Sequence, residues 1–253
     1  MNVQLIAYTQ LSDSFKKQIQ SDIQFEYNER AAIALTAIRT CYSPNPPSEI
    51  LSLEGNKYFG NKATDGKSGT EADRLFRHIT GSGHSSTLEH LNYTFAIEGV
   101  SRALMGQLTR HRHLSFSIQS QRYVRFGSED RSGGFAYVTP PSVEKNKDVV
   151  VNYNDFGDTE TVGEIYETLM KRLQSGYDDL RKGGVTAEDC RSILPNAATT
   201  NIVLTGNLRT LLEFYNKRKP GKGAQYEITE LAEGIKSKII EVDEWLTAYF
   251  EEK

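Results

Sequence analysis

The chain has 253 residues, 38% of them hydrophobic, enough to bury a substantial core in one large domain or two small ones. Its 30 lysines and arginines against 33 acids leave a net charge of −3, which argues against a general nucleic-acid binder, whose footprint would be strongly basic. No apolar run is long enough to span a bilayer, Cys41 and Cys190 make no disulfide framework, and the opening residues turn polar too soon for a signal peptide, so a cytoplasmic protein is expected.

In chain order, Val3 to Tyr8 reads as a short strand and Glu29 to Thr40 as an Ala/Ile-rich helix, stopped by Ser43-Pro44-Asn45-Pro46-Pro47. Residues 54–70 read as a Gly/Lys-rich loop, Glu71 to Thr80 as a short helix and Gly81 to Ser86 as a turn. Asn92 to Val100 alternates as a strand does, and Ser101 can cap a helix running to about Arg110. Gln121 to Phe126 is expected as a second strand, and residues 127–157 as a surface excursion. Asp158 to Lys182 has the pattern of a long amphipathic helix, and Thr186-Ala187-Glu188-Asp189 resembles a capping box. Asn196 to Thr205 reads as a β-branched strand, Asn207 as the cap of a helix from Leu208 to Asn216, and Gln225 to Phe250 as the last helix. Helices outweigh strands, so the expectation is an α+β fold, a single helix-rich domain over residues 1–253 around a small antiparallel or mixed sheet.

The most informative tract runs from Arg110 to Tyr123, where Arg110, Arg112 and Arg122, two histidines and three serines crowd together without an acid. Guanidinium forks fit phosphate and carboxylate and stay charged. Interleaved Leu114, Phe116 and Ile118 make the tract partly buried, which favours a small-anion site over a solvated basic face. Gln107 and Arg110 share a helical face, and Ser120 and Arg122 share a face if extended, so the turn between could bring all four together on a nucleotide. Arg191, the start of the Asn207-Leu208-Arg209 helix and Arg218 form a second basic set. Taken alone, Asn207 reads as a cap and Arg218 as a complement to the helix dipole. A metal reading with His84, His90, His111 and His113 as ligands is opposed by the surrounding arginines, and no metal is expected.

The arrangement resembles the flavin-dependent thymidylate synthases. Arg110-His111-Arg112, seven further residues, Ser120 and then Gln121-Arg122-Tyr123 match that family's central motif. Gly83-His84-Ser85-Ser86-Thr87-Leu88-Glu89-His90, Arg191-Ser192-Ile193-Leu194-Pro195, Asn207-Leu208-Arg209, Phe214 to Arg218 and Ala224-Gln225-Tyr226-Glu227-Ile228 come in the family's order, covering roughly Gly81 to Ile228. The resemblance implies FAD contacts from His84, Ser86, Arg110, His111, Arg112, Asn207, Leu208, Arg209 and Glu213. It implies dUMP contacts from Gln107, Arg110, Ser120, Gln121, Arg122, Arg191 and Arg218, with Arg218 as the catalytic residue beside the uracil. It further implies methylation of dUMP to dTMP, with methylenetetrahydrofolate as carbon donor and NADPH as reductant, in a homotetramer with shared sites, and no nucleic-acid or membrane partner.

The chain departs from the family pattern at Ser117-Ile118, where the family often has Asn-Glu, and at Glu213, where it commonly has Asn. The loop from Lys219 to Gly223 is one residue longer than usual and carries Lys222 where a histidine is frequent. Two rivals can be weighed: a cysteine-dependent synthase using Cys41 or Cys190, against which both cysteines read as small buried hydrophobes, and a nucleotide-binding protein without turnover.

Overall fold

The computed structural model describes residues 1–152 and 159–251. In chain order the elements are β1 (Asn2–Tyr8), α1 (Asp13–Ile19), α2 (Glu29–Tyr42), α3 (Ile50–Phe59), α4 (Glu71–Gly81), a 3-10 turn (Ser85–His90), β2 (Asn92–Ser101), α5 (Arg102–Leu108) and β3 (Ser115–Ile118). Next are α6 (Pro141–Lys145), β4 (Val150–Asn152), β5 (Thr159–Thr161), α7 (Val162–Lys182), α8 (Ala187–Cys190) and a 3-10 turn (Arg191–Ile193). Last come β6 (Thr199–Asn207), α9 (Leu208–Arg218), α10 (Tyr226–Val242), a 3-10 turn (Glu244–Leu246) and α11 (Thr247–Glu251). The α+β expectation holds: helices pack on an antiparallel sheet of order β1-β2-β6-β3, and β4 and β5 form a separate pair.

Period-two alternation sends Tyr93, Phe95 and Ile97 of β2 and Ile202 and Leu204 of β6 into one core. That face is covered by Leu35 and Ile38 of α2, Leu211 and Phe214 of α9, and Ile228, Leu231 and Ile235 of α10. Each such buried side chain contributes about 1.5–3 kcal/mol. The β2 register slips between Ile97 and Val100, where Gly99 takes φ +69°. A smaller core of Phe126, Tyr177 and Cys190 joins α7 to the 3-10 turn at Arg191. There Gln174 accepts from the Phe135 N–H (2.9 Å) and donates to the Phe126 carbonyl (2.9 Å), so the first part of the expected excursion is tied to α7.

Several expected boundaries move for identifiable reasons. The supposed loop over residues 54–70 begins inside α3, whose Leu51, Gly55 and Tyr58 are buried at helical spacing; loop structure starts only after Gly60. Gln121 to Phe126 is not a strand. Ser120 closes a turn instead, its carbonyl accepting from Val124 N–H (3.0 Å) and its hydroxyl from Arg122 N–H (3.2 Å), and the strand of this region is β3. The long helix starts at Val162 behind a Thr161/Glu164 capping box; Asp158 and residues 153–157 of the expected excursion lie outside the described residues. The final helix stops at Val242. Asp243 leaves helical geometry with φ −139° and is fully buried, its carboxylate accepting from Arg30 Nε (2.6 Å), the Tyr93 hydroxyl (2.8 Å) and Trp245 Nε1 (3.1 Å).

Candidate functional site

The basic tract is presented by α5. Ser101 caps this helix by accepting from Leu104 N–H (3.0 Å), while the buried Glu227 of α10 accepts from Ser101 N–H (2.6 Å) and from its hydroxyl. At the helix's far end Gln107 donates to Gln225 (3.0 Å), so α5 is held at both ends against the start of α10. The loop beyond returns to β3 through Leu114, which packs on Gly206 where a side chain would collide with it.

Between this loop and α9 lies a cleft of about 340 Å³. Arg110, His111, Arg112 and His113 line one wall, and Thr210, Glu213, Lys217 and Arg218 the other. Thr210, Glu213 and Lys217 share one helical stripe. His111 packs edge-on against Phe214 at 4.9 Å, and Arg218 Nε donates to its Nε2 at 3.1 Å. That bond makes Nε2 an acceptor and places the ring proton on Nδ1. Burial first, then the charges of Arg218 and Lys217, push the His111 pKa down from 6.5 to about 4. The ring is therefore neutral at neutral pH. Among the described residues Arg110 and Arg112 have no ion-pair partner. Glu213 leans toward Arg209 (3.4 Å), whose Nη1 meets Glu89 at 2.6 Å. The cleft is thus rich in uncompensated positive charge.

The remaining flavin-side candidates surround the start of α9. Asn207 caps it, accepting from Thr210 N–H (2.9 Å), as expected. Leu208 buries its side chain in the core and donates its N–H to Leu91 (2.7 Å), leaving only main-chain atoms for a ligand. Ser86 is exposed on the neighbouring 3-10 turn, and the exposed His84 pairs through Nδ1 with the Tyr42 hydroxyl at 2.8 Å.

The other nucleotide candidates sit elsewhere. Gln121 is buried, Arg122 pairs with Glu188 at 2.6 Å, and Arg191 follows α8. Arg102, at the start of α5, reaches the Gln119 carbonyl at 3.5 Å, and Thr200 reaches the same oxygen at 3.5 Å. This group gathers where β6 begins; the cleft lies where β6 ends. The six residue steps from Thr200 to Gly206 separate those two ends of the strand by roughly 20 Å. The expected meeting of Gln107 and Arg110 with Ser120 and Arg122 therefore does not occur within one chain, because β3 runs between them and Ser120 to Arg122 is a turn. Sequence reasoning missed Lys217, Arg102 and Glu188. Lys217 was legible from the helical spacing of α9; the Arg122–Glu188 pair, 66 residues apart, left no local signal.

The rival chemistries find no matching geometry. Cys190 is buried in the small core as expected, whereas Cys41, expected to be buried, is exposed near the C-terminal end of α2. Among the described residues no three His, Cys, Asp or Glu side chains gather as metal ligands, and no helix is long and apolar enough to cross a membrane. A larger cleft of about 440 Å³, beside α7, is lined by Glu129, Asp130, Asp178 and Arg181, but Asp130 and Asp178 are already satisfied by Gly127 N–H, Ser128 and Gln174.

The family described as thymidylate synthase complementing protein matches residues 25–243. The chain is 37% identical to the flavin-dependent thymidylate synthase of Geobacter sulfurreducens over 83% of this chain and 77% of that one. It is 45% identical to the enzyme of that name from Nitratidesulfovibrio vulgaris over 61% and 58% of the two chains. Two solved structures share the fold: thymidylate synthase X of Helicobacter pylori with FAD and dUMP (TM-score 0.60, 21% identity, 100% of both chains) and the UMP/dUMP methylase PolB of Streptomyces cacaoi bound with 5-Br dUMP (TM-score 0.64, 19% identity, 98% and 94%).

Proposed function

Since this chain belongs to the flavin-dependent thymidylate synthases, we propose that it methylates dUMP to dTMP with methylenetetrahydrofolate as carbon donor and NADPH as reductant of a bound FAD. The observation that carries this reading is the cleft in which Arg110 and Arg112, without an ion-pair partner among the described residues, flank a neutral His111 that is hydrogen-bonded to Arg218. Its donor set suits the anionic phosphates and polar ring edges of a flavin nucleotide: guanidinium forks, a neutral imidazole and the capped start of α9. Arg110, His111, Arg112, Asn207 and Arg209 would hold FAD, with Ser86, His84, Glu213 and the main chain of Leu208 beside them. Bound there, the flavin would supply the hydride that completes the methyl group.

Everything else falls to the chain's own side chains. Arg218 is tethered through Nε, which leaves its Nη groups to donate to a pyrimidine edge. A permanent cation at that edge favours loss of the N3 proton and raises electron density at C5. C5 can then attack a one-carbon electrophile with no thiol adduct, in keeping with the absence of Cys41 and Cys190 from the residues that line the cleft. Because His111 stays neutral, it adds no charge of its own and holds the Arg218 guanidinium in place.

Ser120, Gln121, Arg122 and Arg191 would hold the nucleotide's phosphate side. They gather at the opposite end of β6 from Arg110 and Arg218, a strand length of roughly 20 Å. A complete site therefore requires the complementary half from a second copy, which supports a homotetramer with shared sites. Ile6 and Val203, exposed on the sheet face away from the core, are consistent with further covering surface. The net charge of −3 supports an enzyme without a nucleic-acid partner, and we place it in the cytoplasm.

The deciding experiment is spectroscopic and kinetic together. Purified protein should be yellow, be bleached by NADPH, and form dTMP from dUMP and methylenetetrahydrofolate; Arg218→Ala should lose most turnover. A colourless protein, or a yellow one that binds dUMP without forming dTMP, would overturn the proposal.

A further inference from the structure

The group at the start of β6 is short of negative charge. Arg122 offers Glu188 two prongs of its fork, Nε to Oε1 at 2.6 Å and Nη2 to Oε2 at 3.3 Å. Arg191 comes three residues after Glu188, which sets the two on one face of the short helix and its 3-10 extension. Arg102 is close enough to Arg191 that, after burial, the charge of Arg191 is what lowers its proton affinity. The neighbouring Asp189 is turned away onto Thr186 (2.9 Å). Among the described residues Arg102 and Arg191 have no ion-pair partner, while Glu188 is the partner of Arg122. That pair is half exposed, with side chains 50% and 45% accessible, so little holds it together.

We propose that Glu188 is a specificity-determining residue: its carboxylate occupies the Arg122 fork in the free protein and is exchanged for the phosphate of the incoming nucleotide. This rests on the reading of Arg122 and Arg191 as phosphate-side residues. A phosphate is the stronger partner, since it carries more charge and more acceptor oxygens than a carboxylate. The exchange makes the phosphate group a condition of binding, because a nucleoside lacking it has nothing with which to displace Glu188. It also tempers affinity, because Glu188 competes for the same donors.

Isothermal titration of the flavin-loaded protein with dUMP and with deoxyuridine tests this. Glu188→Gln keeps the side chain's shape and removes its charge. It should tighten dUMP binding about two- to five-fold, equivalent to about 0.4–1 kcal/mol at 1.4 kcal/mol per decade, and leave deoxyuridine unchanged. In an Arg122→Gln background the same change should have no effect on dUMP, because the shared partner is gone. Glu188→Gln binding dUMP equally or more weakly, or shifting dUMP and deoxyuridine alike, would overturn the exchange while leaving the proposed activity standing. Failure of the unaltered protein to bind dUMP at all would instead remove the reading on which the exchange rests.

Discussion

Replacing Arg218 by Gln should change the protonation of His111, and the amount can be worked from the cleft. An ordinary histidine at 6.5 would be charged in about a quarter of molecules at pH 7, whereas one at about 4 is charged in about one in a thousand. Burial is the largest cause and Arg218 the next. The His111 pKa in Arg218→Gln should therefore rise above that of the parent yet remain below 6.5. The full displacement corresponds to about 3.4 kcal/mol at 1.36 kcal/mol per pKa unit; with part of the ring open to solvent, screening leaves about 1–2 kcal/mol. Its sign is fixed by the direction. The unfolded chain takes up a proton as pH falls below 6.5, and the folded chain does not until about 4, so stability is lost across that window and is unaffected by this group above it. Imidazole nitrogen NMR, assigned with His111→Gln, reads the pKa directly. Guanidinium denaturation at pH 7 and pH 5, with His111→Gln subtracted, reads the stability. A parent His111 titrating near 6.5, or one unmoved by Arg218→Gln, would refute the reasoning.

Other consequences concern the supports behind the cleft. Asp243→Ala leaves Arg30 buried without its carboxylate and should cost about 3–5 kcal/mol in chemical denaturation; a loss under about 1 kcal/mol would show that the pair does not anchor α10 to α2. Glu227→Ala strands the Ser101 N–H at the start of α5 and should cost about 1–3 kcal/mol. It should also weaken flavin retention during gel filtration, because α5 leads directly into the loop that carries Arg110, and Glu227→Gln should restore part of both. Unchanged flavin retention would mean that the Glu227 contact does not position the loop.

The features legible along the chain are those encoded locally. The alternation of Tyr93, Phe95 and Ile97 gave β2, the Asn207 and Ser101 caps marked their helix starts, and the Arg-His-Arg tract located one wall of the cleft. Composition misled at α3, where Gly55 and Lys57 suggested loop although Leu51 and Tyr58 supply a buried helical face. It misled again after β3, where Val124 and Phe126 looked strand-like but the Ser120 turn and the small core claim them. Asp243 looked like helix interior because its partners Arg30 and Tyr93 are distant in sequence. The split of the arginines between the two ends of β6 depends on pairing register, and no local pattern carries that information.

The most direct trial of the account removes both sulfhydryls at once. Cys41→Ala with Cys190→Ala, purified folded and yellow, should still convert dUMP to dTMP at a rate close to the parent's. A variant that is folded and flavin-loaded yet inert would contradict the central claim, that guanidinium groups rather than a sulfur nucleophile prepare the pyrimidine for its new carbon.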